Sequence, residues 1–305
     1  MARKKKELSR VEFAILSAAY ENFEELCGRT LSETETAILG ACKEKRWIGA
    51  KGITKKGLSA LEPYRVKRAI IMAAGFGVRL APVTLNTPKP LVRIHGKRMI
   101  DTLLDAIAAA GIDEVYIIRG YLAEQFDQLK YKYPYVKFVE NPEYDKANNI
   151  GSFIRVKDLL ENAYVMEADL LLKNPALIKK YQYTTNFLGI PVTASEDWCF
   201  VVKNGEILTL IPNGNAYAEK LAEGEELYQE VGIVYWNEEA GKKLARHLPE
   251  AFDAPDGKGK YWDQVPLVDY KSEYEVEVRP CEFSDVLEID CFKELVAVDK
   301  KYACD

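Results

Sequence analysis

The stretch Ala73-Ala74-Gly75-Phe76-Gly77-Val78-Arg79-Leu80-Ala81-Pro82-Val83-Thr84, continuing to Thr87-Pro88-Lys89-Pro90-Leu91, decides how this chain folds. It begins where the apolar run Ala69-Ile70-Ile71-Met72 ends, and a short apolar run bounded by glycine reads as a strand buried on both faces. Glycines at the carboxyl end of a strand let backbone N–H groups approach phosphate oxygens closely. Arg79 and Lys89 add positive charge where a triphosphate would lie. A bare Gly-x-Gly is more often a tight turn than a ligand site, but the arginine two residues on and the Pro-Lys-Pro beyond it move the reading to a phosphate-binding loop. It is neither of the two commoner ones: Leu80 replaces the third glycine of GxGxxG, and GxxxxGK[ST] is absent. Ala73, Ala74, Gly75 and Gly77 are thus expected to bind the nucleotide.

Downstream, Ile100, Leu103, Leu104 and Ile107 form one helix face that stops at Gly111, a C′ glycine. Val115-Tyr116-Ile117-Ile118 then repeats the strand-to-glycine pattern at Gly120. Further strands are expected at 136–139, 164–166 and 187–190, with helices at 123–129, 150–160 and 175–181 between them. That alternation predicts an α/β fold with a doubly wound, mostly parallel sheet. Asn204-Gly205, set between alternating residues, signals a two-residue hairpin and hence an antiparallel insertion.

Upstream, the pattern and the charge both change. Residues 1–66 carry 13 Lys and Arg against 9 Asp and Glu, whereas 67–305 carry 29 against 38. The chain is accordingly divided into a module at 1–66 and a larger domain at 67–305. Helices are expected at 11–20, where Val11, Ala14, Ile15 and Ala18 share a face, at 31–45, capped by Thr30 or Ser32, and from Thr54 onward. The run 47–61 resembles the wing and last helix of winged-helix domains, and Glu62-Pro63-Tyr64-Arg65 reads as a linker.

Over its 305 residues the chain is 48% hydrophobic and 29% charged, ordinary globular values, with no apolar run of the ~18 residues a bilayer span requires. Met1-Ala2-Arg3-Lys4-Lys5-Lys6 leads into polar sequence rather than an apolar signal core, so a cytoplasmic location without membrane contact is expected. The six cysteines (Cys27, Cys42, Cys199, Cys281, Cys291, Cys304) form no CxxC pair, and His95 and His247 are the only histidines. Both histidines read as structural, His95 in a turn with Gly96 and His247 in the last turn of a helix. This inventory argues against zinc or a disulfide framework; any metal would be held by oxygen, pointing to Mg²⁺.

With the glycine loop on the page, residues 67–300 resemble the nucleotidyltransferases that include sugar-1-phosphate nucleotidyltransferases and bacterial CTP:phosphocholine cytidylyltransferases. Segments similar to the phosphocholine branch are Arg119-Gly120-Tyr121-Leu122-Ala123-Glu124-Gln125-Phe126, Asn148-Asn149-Ile150-Gly151-Ser152, Glu167-Ala168-Asp169, Tyr261-Trp262-Asp263 and Leu287-Glu288-Ile289-Asp290. The resemblance implies transfer of CMP from CTP to phosphocholine by in-line attack, without a covalent enzyme intermediate and with Mg²⁺ as cofactor. It casts Arg79, Lys89 and Asp169 as catalytic and Asp169, Glu288 and Asp290 as metal ligands. Asp169 follows the strand at 164–166, at the sheet edge where open α/β sheets bind ligands, and Glu288 and Asp290 are spaced to share a strand face. Asn149 and Ser152 are carried over as cytosine or ribose contacts, although Asn148-Asn149 also fits a simple helix cap.

For the acceptor, Trp198, Tyr261, Trp262 and Asp263 would form an aromatic and acidic cage for a quaternary ammonium, each cation–π contact contributing ~0.5–2 kcal/mol. The competing reading places these rings in the core, the usual fate of a tryptophan. Ile150-Gly151 stands where the branch has a bulky aromatic, so the pocket shape differs. Other acceptors open to the same chemistry are 2-aminoethylphosphonate and sugar 1-phosphates. A different class of function, a DNA-binding regulator using Lys4–Lys6 and Lys55-Lys56, ranks lower because Glu33, Glu35 and Glu44 on the second helix would repel phosphates.

Overall fold

Ser9 and Ser32 each start a helix in the same way. The hydroxyl accepts from the N–H of Glu12 or Glu35, whose carboxylate accepts in return from the serine N–H. The resulting α1 (Arg10–Glu21) and α3 (Glu33–Glu44) flank a short α2 (Phe23–Gly28), and a hairpin of β1 (Ile48–Gly49) with β2 (Gly52–Ile53) leads to α4 (Lys55–Leu61). Ile15, Leu16, Leu26, Cys42, Ile48 and Leu61 form the core of this unit. The computed structural model describes residues 7–303, so Lys4–Lys6 and Cys304 lie outside the described residues. Chain contacts group the residues up to Arg65 with Tyr181–Tyr183, and Val66–Lys180 with Thr184 onward. The expected linker at 62–65 is built into the first unit. Tyr64 lies in a 3₁₀ turn, stacks on Tyr183 at 5.5 Å, and its hydroxyl oxygen accepts from the Leu8 N–H at 2.9 Å.

The second unit runs through β3 (Arg68–Ala73), the hairpin β4 (Arg93–Ile94) and β5 (Lys97–Arg98), α5 (Met99–Ala109), β6 (Glu114–Arg119) and β7 (Val136–Glu140). Next come α6 (Asn149–Phe153), β8 (Ala163–Glu167), β9 (Leu170–Leu172), β10 (Asn186–Val192), β11 (Cys199–Lys203), β12 (Glu206–Ile211) and α7 (Asn215–Ala218). The last elements are β13 (Glu225–Trp236), α8 (Glu238–Asp253), β14 (Glu277–Pro280), β15 (Val286–Glu288) and α9 (Phe292–Val298).

The main sheet has the order β10-β14-β12-β11-β13-β8-β3-β6-β7. Strands β8, β3, β6 and β7 are parallel, as the strand-glycine repeats predict. The other half is mostly antiparallel and larger than an insertion, because the twelve-residue β13 pairs with β8, β10 and β11. Asn204 and Gly205, at φ 52° and 82°, make the predicted hairpin turn. On β3 the side chains alternate between two cores: Ala69 and Ile71 join the α5 face (Ile100, Leu103, Leu104, Ile107), while Ile70 joins a core containing Phe153, Trp236, Leu244 and Trp262.

Four expected elements differ in form. Residues 123–131 are 3₁₀ rather than α-helical, the helix expected at 150–160 is α only to Phe153 and 3₁₀ over Ile154–Leu159, the stretch at 175–181 keeps only the turn Pro175–Leu177, and β15 stops at Glu288, short of Asp290. His247 sits inside α8 rather than in its last turn, bonded to the Tyr274 hydroxyl at 2.8 Å and stacked on Tyr270. Among the described residues no helix is long and apolar enough to cross a membrane.

Helix α8 packs against the sheet side at Gly241, where a Cβ would stand 2.6 Å from the Leu160 carbonyl oxygen. Gly241→Ala should therefore destabilise the unit by about 1–3 kcal/mol, despite the better helix propensity of alanine, as measured by urea unfolding. Unchanged or increased stability would show that this contact yields without cost.

Candidate active site

The glycine loop leaves β3 at Ala73 and is shaped by what cannot fit in it. Gly77 has φ 62°, and a Cβ on it would come within 2.8 Å of the Lys89 Cβ, so both conformation and space require glycine there. Gly75 faces open space, with nothing within 4 Å of its missing Cβ. The Thr84 hydroxyl donates to the Gly77 carbonyl at 2.8 Å and ties the loop to the segment that carries Lys89. Gly75, Gly77 and Lys89, together with Ala73, Ala74, Arg79, Tyr144, Asn149, Ser152, Glu167, Asp169 and Tyr261, line a cleft of about 350 Å³.

Three acids converge on this cleft from opposite ends of the unit. Asp169 lies between β8 and β9, and β15 pairs antiparallel with β9 so that Glu288 sits opposite Leu170. Asp290 follows, its N–H held by the Glu294 carboxylate at 2.7 Å. One oxygen from each of Asp169, Glu288 and Asp290 lies within 4.8 Å of the others, an all-oxygen set able to hold a hard cation. Lys89, buried and donating to Asp169 at 3.2 Å and Asp290 at 3.0 Å, neutralises part of this charge. Burial alone would lower the Lys89 ammonium, but the two carboxylates outweigh it and raise its pKa. Arg79, largely exposed, reaches Asp290 at 3.0 Å. Glu288 is pushed up to about 9 by burial and by Asp169 and Asp290.

A second acidic group lies beside the first. Gly232, at φ 71°, breaks the β13 ladder against β10, and a Cβ there would touch the Glu167 Cβ at 3.0 Å. The Gly232 N–H donates to Glu230 at 2.7 Å. Asp263 is buried, and its Oδ1 has no hydrogen-bond partner among the described residues. Burial raises all three acids: Glu167 well above its ordinary value, with Asp169 and Glu230 adding to the effect, Glu230 to about 8, and Asp263 to about 6. Glu230 also lines an adjoining cavity of about 290 Å³, which shares Asp290 with the cleft and is walled by Ile190, Val231, Phe283 and Val286.

The predicted site residues sort unevenly. Asn149 lines the cleft, but its side chain is engaged within the protein, donating to Glu167 at 3.2 Å and accepting from the Trp262 N–H at 3.0 Å. It is a brace rather than a free base contact. Asn148 caps α6, and Ser152 accepts from Asn141 at 3.0 Å. Tyr261 is 41% exposed and meets the Trp198 ring edge-on at 5.5 Å. Trp262 does not form part of a cage. It is 1% exposed and stacked on Phe153 at 4.5 Å and Phe187 at 5.8 Å, because the turn at 262–263 directs its ring into the core while Tyr261 before it stays exposed. Sequence reasoning missed Glu230; the available signal was a glycine, Gly232, inside a strand and directly before the apolar run Ile233–Trp236.

The nucleotidyl transferase family model matches residues 68–252. A 2-aminoethylphosphonate cytidylyltransferase of Lancefieldella rimae is 33% identical over 237 residues, 77% of this chain and 92% of that protein. A choline-phosphate cytidylyltransferase of Streptococcus pneumoniae is 32% identical over 74% of this chain and 94% of its own. The solved CTP:phosphocholine cytidylyltransferase of Streptococcus pneumoniae superposes with a TM-score of 0.69 at 29% identity, covering 78% of this chain and 100% of that one. UDP-glucose pyrophosphorylase, at 14% identity and a TM-score of 0.59 over 78% of this chain and 98% of its own, shares the fold. By its sheet, its glycine loop and these likenesses, the chain belongs to the nucleotidyl transferase family.

Proposed function

We propose that the protein transfers CMP from CTP to a small phosphonate or phosphate that carries a terminal ammonium, preferring a primary one such as 2-aminoethylphosphonate, and releases pyrophosphate. The observation that carries the acceptor assignment is the group Glu167, Glu230 and Asp263, acids drawn out of water beside the cleft with the Asp263 Oδ1 unpartnered. A primary ammonium has three N–H donors that need such acceptors; a quaternary ammonium has none and relies on aromatic faces. With Trp262 in the core, Trp198 and Tyr261 remain as the only rings of the expected cage. That pair, and the choline-phosphate relative, favour phosphocholine as the second reading.

In the reaction an acceptor oxygen attacks the α-phosphorus of CTP, the bond to the bridging oxygen breaks, and the electron pair leaves with pyrophosphate. The loop at Gly75–Gly77 gives the triphosphate a close backbone approach, and Arg79 and Lys89 stabilise the charge that builds on the departing group. Asp169, Glu288 and Asp290 would hold Mg²⁺, which when bound screens the polyphosphate and polarises the α-phosphoryl group. The acids at Glu167, Glu230 and Asp263 orient the acceptor by its cationic end.

Two variants at the first acidic group should part activity from stability. Asp169→Asn should lose more than about 100-fold in pyrophosphate release with an unchanged or raised unfolding midpoint, since it relieves repulsion. Lys89→Met should lose a similar factor and unfold at lower temperature, because it leaves the acids uncompensated. Near-normal turnover in Asp169→Asn would remove that carboxylate from the mechanism.

The acceptor is tested by steady-state kinetics with CTP and a panel of 2-aminoethylphosphonate, phosphoethanolamine, phosphocholine and a hexose 1-phosphate. A primary amine should have the highest kcat/KM, and Glu230→Gln should lower it roughly 10- to 100-fold, the effect of one hydrogen bond to a charged group, with little change for phosphocholine. Preference for phosphocholine in both proteins would reverse the acceptor order.

A further inference from the structure

The segment Arg119-Gly120-Tyr121-Leu122-Ala123-Glu124-Gln125 resembles the family yet contributes no group to the acids or the acceptor site. Two of its side chains, Tyr121 and Gln125, reach the phosphate loop and the turn that follows it. The Tyr121 N–H donates to the Ala74 carbonyl at 3.1 Å, at the start of the loop. The Tyr121 hydroxyl donates toward two further carbonyls, Thr84 at 2.9 Å and Leu85 at 3.2 Å, and the Gln125 side-chain amide donates to Asn86 at 2.9 Å. The Tyr121 ring packs on Phe76, the residue between the two glycines, at 5.2 Å. Phe76 in turn lies 5.0 Å from Tyr144, which packs over Gly120 so tightly that a Cβ there would meet it at 2.6 Å.

These bonds form a relay. Tyr121 fixes the Thr84 carbonyl, and the Thr84 hydroxyl fixes the Gly77 carbonyl at 2.8 Å. Gly77 sits against the Lys89 side chain, so the position of Thr84 sets the spacing between the loop and its lysine. The strap itself is held from behind by Arg119, which donates to the Ala123 carbonyl at 3.0 Å and pairs with Asp127 and Glu140. Thr84 and Leu85 lie in one short 3₁₀ turn that ends at Asn86, with Thr84 buried and Leu85 exposed.

We infer that Tyr121, assisted by Gln125, is a positioning residue for the triphosphate grip: its hydroxyl holds the 84–86 turn so that the loop at Gly77 and the ammonium of Lys89 keep their spacing before CTP arrives. The inference rests on the nucleotide reading above. Tyr121 does not line the cleft and acts through Thr84.

The test is Tyr121→Phe, which keeps the ring against Phe76 and the backbone bond to Ala74 but removes the hydroxyl; Tyr131→Phe, at a tyrosine 95% exposed, is the control. Calorimetric titration of CTP and steady-state kinetics with the best acceptor are measured on the full chain. Tyr121→Phe should weaken CTP binding about three- to tenfold, the range expected for one neutral hydrogen-bonding hydroxyl, with kcat within about twofold and the acceptor KM unchanged. Gln125→Leu should shift CTP binding in the same direction. If wild-type protein does not bind CTP, the nucleotide assignment itself fails. If wild-type protein binds CTP and Tyr121→Phe binds it equally well, the strap has no positioning role. An equal rise in both KM values together with a fall of several degrees in the unfolding midpoint would reassign Tyr121 to general stability.

Discussion

Repulsion between carboxylates is the constraint on which the rest of this structure depends. Asp169, Glu288 and Asp290 are brought within 4.8 Å of one another, and they stay there because Lys89 is buried between two of them. Burying an ammonium is costly unless it is paired, and holding like charges together is costly unless they are screened; each offsets the other's penalty. The same lysine packs beneath Gly77, so the charge balance and the shape of the phosphate loop are set by one side chain.

How much of this was legible in the sequence depends on the range of the interactions. The parallel half of the sheet, the hairpin at Asn204-Gly205 and the helix cap at Ser32 follow from neighbouring residues, and local chemistry is what a sequence displays directly. The glycine loop was legible for the same reason. Tyr64 and Tyr183 could not be paired in advance, since their contact joins segments far apart in the chain. Trp262 illustrates a different limit. Aromatic and acidic neighbours suggested a cage, but the direction of each side chain in the turn at 262–263 is set by long-range packing, which placed the tryptophan against Phe153 and left Tyr261 at the cleft.

The two groups of acids stand side by side yet meet different surroundings. The first has a lysine and an arginine among its contacts and opens toward the loop. The second has amide donors from Asn149 and Gly232 but no lysine or arginine within ion-pair distance among the described residues, and burial raises the pKa of each of its acids. The proposed reaction, which brings a polyanion and an ammonium-bearing acceptor together, would use such a division, with one wall facing phosphate and the other the amine. Asn149 braces the second group from within, bonding Glu167 with one end of its amide and the backbone of Trp262, next to Asp263, with the other.

The ladder between β9 and β15 also fixes the order in which competence is acquired during synthesis. Residues 68–167 supply the parallel strands and the glycine loop early, whereas Glu288 and Asp290 are translated more than a hundred residues later. A nascent chain can therefore make its central strands before these acids meet. On the proposed role of the triad, a partially made polypeptide would not spend nucleotide before the ribosome has delivered the segment that completes it.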